Sequence, residues 1–252
     1  EQECRDAIAD FVIYKTQGRP AVTLKLAMTL DGRIASRTGD SGWVSCEASR
    51  RRVHALRASV QAVMVGGGTL RADNPRLTHR LEPDHALAGN PQPLAVVVTR
   101  RLPAADAPLA LVRERPEALV ILTGAAQAAS AAGKALTKLG VRLYGLPEAP
   151  DGSLALSPGL TRLREEAGVY TLLCEGGGGL AGSLVVQGLA DELALFYAPK
   201  VLADDRARAG FSGLAVPRMA DAAGFRFCAV ERVGEDILAT LRPLVAAGHP
   251  SS

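Results

Sequence analysis

The sequence predicts an α/β fold: a three-layer domain with a mixed, mostly parallel sheet and an antiparallel hairpin at its C-terminal end. Apolar runs of strand length alternate with helical runs along most of the 252 residues, which is the pattern of a parallel sheet covered by helices. The last two apolar runs flank a turn at Gly234, which is typical of a hairpin. No change in composition divides the chain, so we expect one domain with a short N-terminal extension.

The predicted elements follow this alternation along the chain. A short helix is expected within residues 1–18, ended by Gly18 and Pro20. Strands are predicted at 22–30, 61–65, 94–99, 118–123, 141–144, 170–174 and 192–198. Helices are predicted at 46–58, 124–139, 160–167 and from Leu180 onwards. Ser45 is expected to cap the first of these helices, and Pro75 to keep residues 70–80 an ordered loop.

Four consecutive glycines follow Glu175 at the end of the predicted strand 170–174. Glycines allow turns with positive φ and let backbone N–H groups approach a ligand, and the N-terminus of the following helix favours an anion. Gly177, Gly179 and Gly182 match the G-x-G-x-x-G spacing of dinucleotide-binding loops. That spacing alone is a weak signal, and a purely structural turn is the alternative.

A second glycine-rich stretch, 66–68, leaves the predicted strand 61–65. Ligand sites of α/β sheets lie beyond the carboxyl ends of strands, so two such exits favour a ligand site. Trp43, the only tryptophan, is either a core anchor or a flat wall for a ring. Lys25, inside a predicted strand, either points to solvent or contacts a ligand.

Composition narrows the class of protein. The net charge is +3 with both signs mixed along the chain, which argues against a nucleic-acid or membrane surface. The four cysteines lie far apart, so we expect no zinc site and no disulfides, but free thiols in the reducing cytoplasm. There is no G-x-S-x-G motif or metal-ligand cluster, and the four histidines are predicted to be surface or structural residues. Hydride transfer fits such a chain, because the nicotinamide carries the chemistry and the fold supplies orientation.

Several ordered motifs resemble one known family. VTLKLAMTLDGRIAS, GDSGWVS, RRRVHALRA, VMVGGGTLRADNPRLTHR, CEGGGGLAGSL and DELALFYAPK are similar to the reductase domain of the bifunctional riboflavin-biosynthesis deaminase/reductase. The resemblance implies a dihydrofolate-reductase-like fold and an NADPH cofactor. It also implies reduction of 5-amino-6-(5-phosphoribosylamino)uracil to 5-amino-6-(5-phosphoribitylamino)uracil, with hydride added to C1′ of the ribose.

The resemblance also implies which residues meet each ligand. The cofactor positions are Ala27, Trp43, Thr69, Asp73, Thr99 and the pyrophosphate loop Gly177, Gly178, Gly179, Leu180, Ala181, Gly182 and Ser183. The substrate positions are Ser41, Arg57, Leu77, Arg80 and Glu175. Arg57 and Arg80 suit the ribose 5-phosphate, because a guanidinium is always charged and binds phosphate bidentately. Lys25 and Asp73 are candidates for protonating or polarising the opening sugar, and Arg100 or Arg101 for meeting the 2′-phosphate of NADPH.

The resemblance implies boundaries and partners as well. Residues 1–19 are expected to be a linker from an upstream deaminase domain, 20–245 the reductase domain and 246–252 a tail. The small-molecule substrate is a phosphorylated pyrimidine, and the terminal hairpin and family habit suggest a homodimer. The chain departs from the family at Val98, where an acidic residue is frequent, and at Ala203-Asp204, which replace a glycine pair. The second departure predicts a differently shaped loop.

Three alternatives stay open. A Rossmann dehydrogenase acting on another substrate would carry its G-x-G-x-x-G after the first strand, whereas here it comes late in the chain. A non-catalytic nucleotide-binding domain would be expected to lose the substrate arginines, and both are present. A reductase of a related pyrimidine or pterin is not distinguished by the sequence.

Overall fold

The structure is a computed structural model that describes residues 6, 8–42, 44–149, 152–213 and 216–244. Trp43 and the predicted tail 246–252 therefore lie outside the described residues, as do residues 1–5 and 7 of the segment 1–18, in which a short helix is predicted. In the part of the chain that is described, no helix is long and apolar enough to cross a membrane.

The strands and helices alternate as the sequence predicts. The strands are β1 (Ala21–Thr29), β2 (Arg33–Ala35), β3 (Ala62–Gly66), β4 (Leu94–Val98), β5 (Leu119–Gly124), β6 (Arg142–Leu146), β7 (Thr171–Cys174), β8 (Glu192–Ala198), β9 (Arg208–Ala209), β10 (Phe225–Val233) and β11 (Asp236–Pro243). The helices are α1 (Ala9–Thr16), α2 (Glu47–Ala58), α3 (Gly67–Asp73), α4 (Ala110–Glu114), α5 (Ala125–Ala129), α6 (Ala131–Lys138), α7 (Leu156–Ala167) and α8 (Gly178–Val186).

One large sheet contains nine of the described strands, in the order β10-β11-β8-β1-β7-β3-β4-β5-β6. The strands from β8 to β6 run parallel, whereas β11 runs antiparallel to β8 and β10 antiparallel to β11. The predicted mixed, mostly parallel sheet with its C-terminal hairpin is therefore confirmed. A separate antiparallel ribbon pairs β2 with β9.

Helices cover both faces of the sheet, and alternate side chains of each strand show this. In β3, Met64 belongs to a hydrophobic cluster that includes Leu160 of α7 and Leu184 of α8. Its neighbours Val63 and Val65 belong to the opposite cluster, which includes Leu136 of α6. Because successive strand residues face opposite sides, these two clusters are the two interfaces of a three-layer fold.

One helix prediction and one loop prediction differ from the structure. The predicted helix 124–139 is broken at Ser130, whose side chain accepts the Gly133 N–H at 3.2 Å and caps α6. A Cβ on Gly133 would lie 2.3 Å from the Ala128 carbonyl oxygen, so only glycine permits this close turn between α5 and α6. The predicted loop 70–80 begins as a helix, because α3 extends to Asp73 before Asn74 adopts a left-handed φ of 42°.

The cap predicted for α2 is also wrong. Cys46, not Ser45, stands at the N-cap, and no side chain of the cap residue accepts a hydrogen bond there. The buried carboxylate of Asp236 takes this place, accepting the Cys46 N–H at 2.8 Å and the Ser49 hydroxyl at 2.6 Å. The C-terminal hairpin thus supplies the negative charge that a helix N-terminus favours.

Candidate active site

The two glycine-rich strand exits lie side by side at the carboxyl edge of the sheet, because β3 and β7 are neighbours. The Gly66 N–H donates to the Gly176 carbonyl at 3.2 Å, and Thr69 Oγ1 donates to the same oxygen at 3.4 Å. The helices α3 and α8 begin at this edge. A cleft of about 1110 Å³ opens here, bounded by β1, α2, α3, the start of α8 and the β2–β9 ribbon.

Gly177, Gly178 and Gly179 line this cleft for different reasons. Gly177 has a φ of 101°, which residues with a Cβ rarely adopt. A Cβ on Gly178 would lie 2.3 Å from the Ala209 carbonyl oxygen, so glycine there lets β9 pack against the first turn of α8. Gly179 is exposed, with no atom within 4 Å of the place of a Cβ. Its backbone is therefore open to a ligand.

The rest of the predicted pyrophosphate loop turns away from the cleft. Among the described residues, the lining does not include Leu180, Ala181, Gly182 or Ser183. Ala181 is fully buried in the core, and a Cβ on Gly182 would lie 2.1 Å from the Ser212 carbonyl oxygen. Contact between a ligand in the cleft and α8 is thus limited to the first turn of the helix.

Three of the other positions predicted for the cofactor also line the cleft: Ala27, Thr69 and Asp73. Ala27 comes from β1, whereas Thr69 and Asp73 come from the first and last turns of α3. These three residues thus line the same cleft as Gly177 and Gly179.

Thr99, another predicted cofactor position, lies behind the β3 exit and is only 6% exposed. Its Oγ1 donates to the Arg101 carbonyl at 2.9 Å and accepts the Arg101 N–H at 3.2 Å. A Cβ on Gly67 would lie 2.3 Å from this oxygen, so Thr99 shapes the turn into α3. Neither Arg100 nor Arg101 is found in the cleft lining of the described chain, and Arg100 Nη1 donates to the Gly152 carbonyl at 2.9 Å.

Arg57 and Glu175, both predicted to meet the substrate, form a bidentate ion pair in the cleft. Arg57 Nε lies 2.5 Å from Glu175 Oε1, and Nη2 lies 2.8 Å from Oε2. Arg57 Nη1 also donates to the Thr78 carbonyl at 2.9 Å. Burial opposes ionisation of Glu175, but the hydrogen bonds and charge of Arg57, with Lys25 and His54, hold its pKa below the ordinary value. Glu175 is therefore a carboxylate with a fixed partner.

Lys25 lies on the floor of the cleft, next to this pair. Its ammonium is 5.6 Å from the centroid of the Phe196 ring. Within the described residues it makes no hydrogen bond or salt bridge, since Glu175 is engaged by Arg57. Burial, together with the charge of Arg57, lowers the pKa of Lys25, and the charge of Glu175 opposes that shift. An ammonium of this kind gives up a proton more readily than an exposed lysine.

The remaining substrate positions divide into two groups. Ser41 and Arg80 are exposed and line the cleft. The Arg80 guanidinium has no hydrogen bond or salt bridge to any described residue. Leu77 is 2% exposed and packs in the cluster with Val65 and Leu70, so its side chain faces the core. Its φ of 54° is uncommon for leucine, which makes it a strained anchor of the loop that carries Arg80.

Comparison with known proteins assigns the chain to a family. Residues 20–239 match the RibD C-terminal domain family. The chain belongs to that family. The predicted resemblance to the reductase domain of the riboflavin-biosynthesis deaminase/reductase, and the expected dihydrofolate-reductase-like fold, are therefore confirmed.

Relatives of the family cover this chain almost entirely. The riboflavin biosynthesis protein RibD of Bacillus amyloliquefaciens is 32% identical over 251 residues, covering 96% of this chain and 62% of that protein. The 2,5-diamino-6-ribosylamino-4(3H)-pyrimidinone 5′-phosphate reductase of Methanothermobacter thermautotrophicus is 34% identical, covering 87% of this chain and 96% of that protein. The crystal structure of a diaminohydroxyphosphoribosylaminopyrimidine deaminase/5-amino-6-(5-phosphoribosylamino)uracil reductase from Thermotoga maritima is 28% identical, with a TM-score of 0.76, over 97% of this chain and 62% of that one. The chain thus spans less than two thirds of the RibD relatives.

His54, Arg208 and Ser212 are among the cleft residues of this RibD C-terminal domain that were not expected from the sequence. His54 lies one turn before Arg57 on α2 and was predicted to be a surface or structural residue. Arg208 and Ser212 reach the cleft through β9 and the segment after it. No local pattern marks a strand of two residues whose partner, β2, lies far earlier in the chain.

Proposed function

We propose that this chain is an NADPH-dependent reductase that converts 5-amino-6-(5-phosphoribosylamino)uracil to 5-amino-6-(5-phosphoribitylamino)uracil. The observation that carries the proposal is the Lys25 ammonium, which is half-buried at the floor of a cleft that also holds Arg57 and Arg80, and which has no salt-bridge partner among the described residues. A partly desolvated ammonium without a salt-bridge partner is a candidate for contact with a ligand. The reaction itself comes from the Thermotoga relative, which is named for it.

The substrate phosphate is proposed to bind Arg80, with Arg57 behind it. Arg80 is exposed in the cleft and has a guanidinium available for bidentate contact. Three of the five N–H groups of Arg57 are engaged by Glu175 and Thr78, so Arg57 contributes mainly its charge and the N–H groups that remain. Ser41 faces the same space and suits a sugar hydroxyl.

Lys25 is proposed to protonate the sugar ring as it opens. Breaking the C1′–O4′ bond requires a proton at O4′, while the lone pair of the exocyclic nitrogen forms the C1′=N bond. Hydride addition to C1′ then neutralises the cation and completes the ribitylamine. The lowered pKa of Lys25 suits general-acid catalysis, which is most effective when the pKa of the acid is near the working pH. Asp73, at the edge of the cleft, is the second candidate.

The residues at the two strand exits fit a nicotinamide nucleotide. The backbone of Gly179 is open to a ligand, and Gly177 has a φ of 101°, which favours a residue without a Cβ. Backbone N–H groups at the start of a helix favour the pyrophosphate, while Thr69 and Asp73 face the same space. Bound in this way, the reduced nicotinamide would supply the hydride.

The first experiment is NADPH oxidation with the deaminated substrate and, separately, with its non-deaminated precursor. Turnover of the deaminated pyrimidine is expected, and turnover of neither compound would refute the proposal. The archaeal relative is named for the non-deaminated compound, so it is the second candidate substrate. The proposed substrate implies that deamination precedes reduction, and turnover of the precursor alone would show the opposite order.

We also propose an upstream domain and a dimer for this chain. An upstream deaminase domain, joined through residues 1–19, is supported by the extra length of the RibD relatives. A homodimer is supported by the edge strand β10, where Phe227 is 67% and Val230 62% exposed, because long apolar edges favour pairing. We also propose a cytoplasmic location; the described cysteines, Cys46, Cys174 and Cys228, are free thiols. Light scattering during size-exclusion chromatography tests the dimer, and a monomeric mass would contradict it.

A further inference from the structure

The segment 78–80 carries Arg80 into the cleft, and two side chains of α2 make hydrogen bonds to the backbone of this segment. Arg57 Nη1 donates to the Thr78 carbonyl at 2.9 Å. His54 Nδ1 lies 3.1 Å from the Arg80 backbone nitrogen and accepts its N–H. His54 and Arg57 are one helical turn apart, so the same face of α2 contacts both ends of the segment.

His79, in the middle of the segment, is held by contacts with Asn90 and Gln92. His79 is 6% exposed, and its backbone N–H donates to Gln92 Oε1 at 3.0 Å. Gln92 Nε2 returns a hydrogen bond to the His79 carbonyl at 3.2 Å. The His79 ring nitrogen Nε2 lies 3.1 Å from the Asn90 carbonyl. Since the backbone on either side is bound to α2, the guanidinium of Arg80 is the part of the segment left to meet a ligand.

The contact between His54 and Arg80 determines the protonation state of the imidazole. A backbone N–H can only donate, so Nδ1 must keep its lone pair and the proton of the neutral ring must be on Nε2. Burial and the charges of Arg57 and Arg80, with His79, lower the pKa of His54, while Glu175 opposes that shift. The groups that face the ring from α2, the 78–80 segment and the β7 exit thus favour the neutral form on balance.

We propose that His54 is a positioning residue: it holds the Arg80 backbone so that the guanidinium meets the phosphate group of the substrate. This rests on the proposed function above. Without the hydrogen bond, the segment would lose the contact that fixes the base of the Arg80 side chain, and phosphate binding would have to order it. Because ordering a side chain and its backbone opposes binding, the loss appears in the affinity for the phosphate and not in the chemical step.

The test compares three substitutions of His54. His54→Ala removes the acceptor, and His54→Gln carries its amide one bond further, nearer the place of Nε2. His54→Asn places an amide oxygen near the position of Nδ1 and does not titrate. We expect His54→Ala and His54→Gln to raise the KM for the phosphorylated pyrimidine by about tenfold, with kcat and the KM for NADPH within about twofold. His54→Asn is expected to restore the substrate KM to within about twofold of the wild type.

A double substitution separates positioning from a general structural role. In an Arg80→Ala background the guanidinium is gone, so His54→Ala should raise the substrate KM no further. The pH profile gives a second readout. The wild-type substrate KM should rise relative to that of His54→Asn as pH falls and His54 takes a proton, because both proteins share the titration of the substrate phosphate itself.

Calorimetric binding of ribose 5-phosphate to the same variants keeps this proposal separate from the proposed function. A wild type that binds ribose 5-phosphate but shows no turnover refutes the function alone, while loss of binding in both His54→Ala and Arg80→Ala still supports positioning. Unchanged binding in His54→Ala would overturn it, as would no binding to the wild type. So would an equal effect of His54→Ala with and without Arg80, or failure of His54→Asn to restore the substrate KM.

Discussion

Glu175 is the residue on which the charges of the cleft converge. Arg57 binds it through two hydrogen bonds, and Lys25 and His54 lie close enough to lower its pKa further. A buried carboxylate with such partners stabilises the folded state only while it is ionised. At the scale of single residues, the site is therefore an anion next to two cations, and we propose that one of them, the Lys25 ammonium, acts on the substrate.

The first prediction concerns this ion pair. Glu175→Gln leaves the Arg57 charge largely buried and unpaired, so the free energy of unfolding should fall by about 3 kcal/mol at neutral pH. Because the pKa of Glu175 is depressed in the folded state, its contribution is present above the unfolded pKa of about 4.3 and is lost as pH falls through the folded value. Urea unfolding at several pH values measures both effects. Equal stability of the two proteins at neutral pH would contradict the account.

Lys25 gives the second prediction. Lys25→Met should lower kcat by about 10²- to 10⁴-fold, because the proton donor is removed while the shape of the floor is largely kept. In the wild type, kcat should fall as pH rises through the lowered pKa of Lys25, since only the ammonium donates a proton. Lys25→Arg keeps the charge at all accessible pH values and should abolish that alkaline fall. Steady-state kinetics across pH check this, and a pH profile unchanged in Lys25→Arg would exclude Lys25 as the acid.

Ala203 carries a third prediction, which follows from its backbone. It has a φ of 49°, a left-handed conformation that strains a residue with a Cβ, at one of the two positions where the resemblance implies glycine. Asp31 holds this turn: the Thr29 hydroxyl and the N–H groups of Ala203 and Leu202 lower the Asp31 pKa to about 2. Ala203→Gly should therefore raise the free energy of unfolding by about 0.5–1 kcal/mol. The control Ala86→Gly, at an exposed alanine outside the positive-φ region, should lower it slightly.

At the scale of elements, the start of α2 depends on a residue from the other end of the chain. Asp236 follows the turn of the β10–β11 hairpin and accepts hydrogen bonds from the first turn of α2. Since α2 also carries His54 and Arg57, the hairpin fixes the helix on which the substrate side of the cleft is built. The position of Arg57, which we propose to lie near the substrate phosphate, is therefore coupled to the edge of the sheet.

The corresponding prediction is a loss of stability on removal of the cap. Asp236→Ala leaves the partly buried Cys46 N–H and the buried Ser49 hydroxyl without their carboxylate acceptor, which should lower the free energy of unfolding by about 2–3 kcal/mol. Glu235→Ala, at the exposed neighbouring position, is the matched control and should change stability by less than about 0.5 kcal/mol. Chemical denaturation measures both variants. Equal effects would mean that Asp236 does not act through the helix.

At the scale of the whole molecule, sequence patterns predict what is local. Strand runs and glycine exits place the cleft correctly, because each depends on neighbouring residues and on the rule that ligands bind beyond the carboxyl ends of strands. The Asp236 cap, the Arg57–Glu175 pair and the β2–β9 ribbon join residues far apart in the chain. The break at Ser130 depends on how closely two helices turn at Gly133. These features depend on tertiary packing, so no local sequence pattern predicts them.

Hydride transfer to C1′ of a phosphorylated ribosylamine is the step that defines the proposed activity of this cleft. The direct measurement uses NADPH carrying deuterium at C4 of the nicotinamide, in each of its two stereochemical forms, with mass spectrometry and NMR of the product. Because hydride leaves from one face of the nicotinamide, we expect one of the two forms to deliver a single deuterium, located at C1′ of the ribityl chain. A product without deuterium from either form, or with the label at another carbon, would contradict the proposed activity.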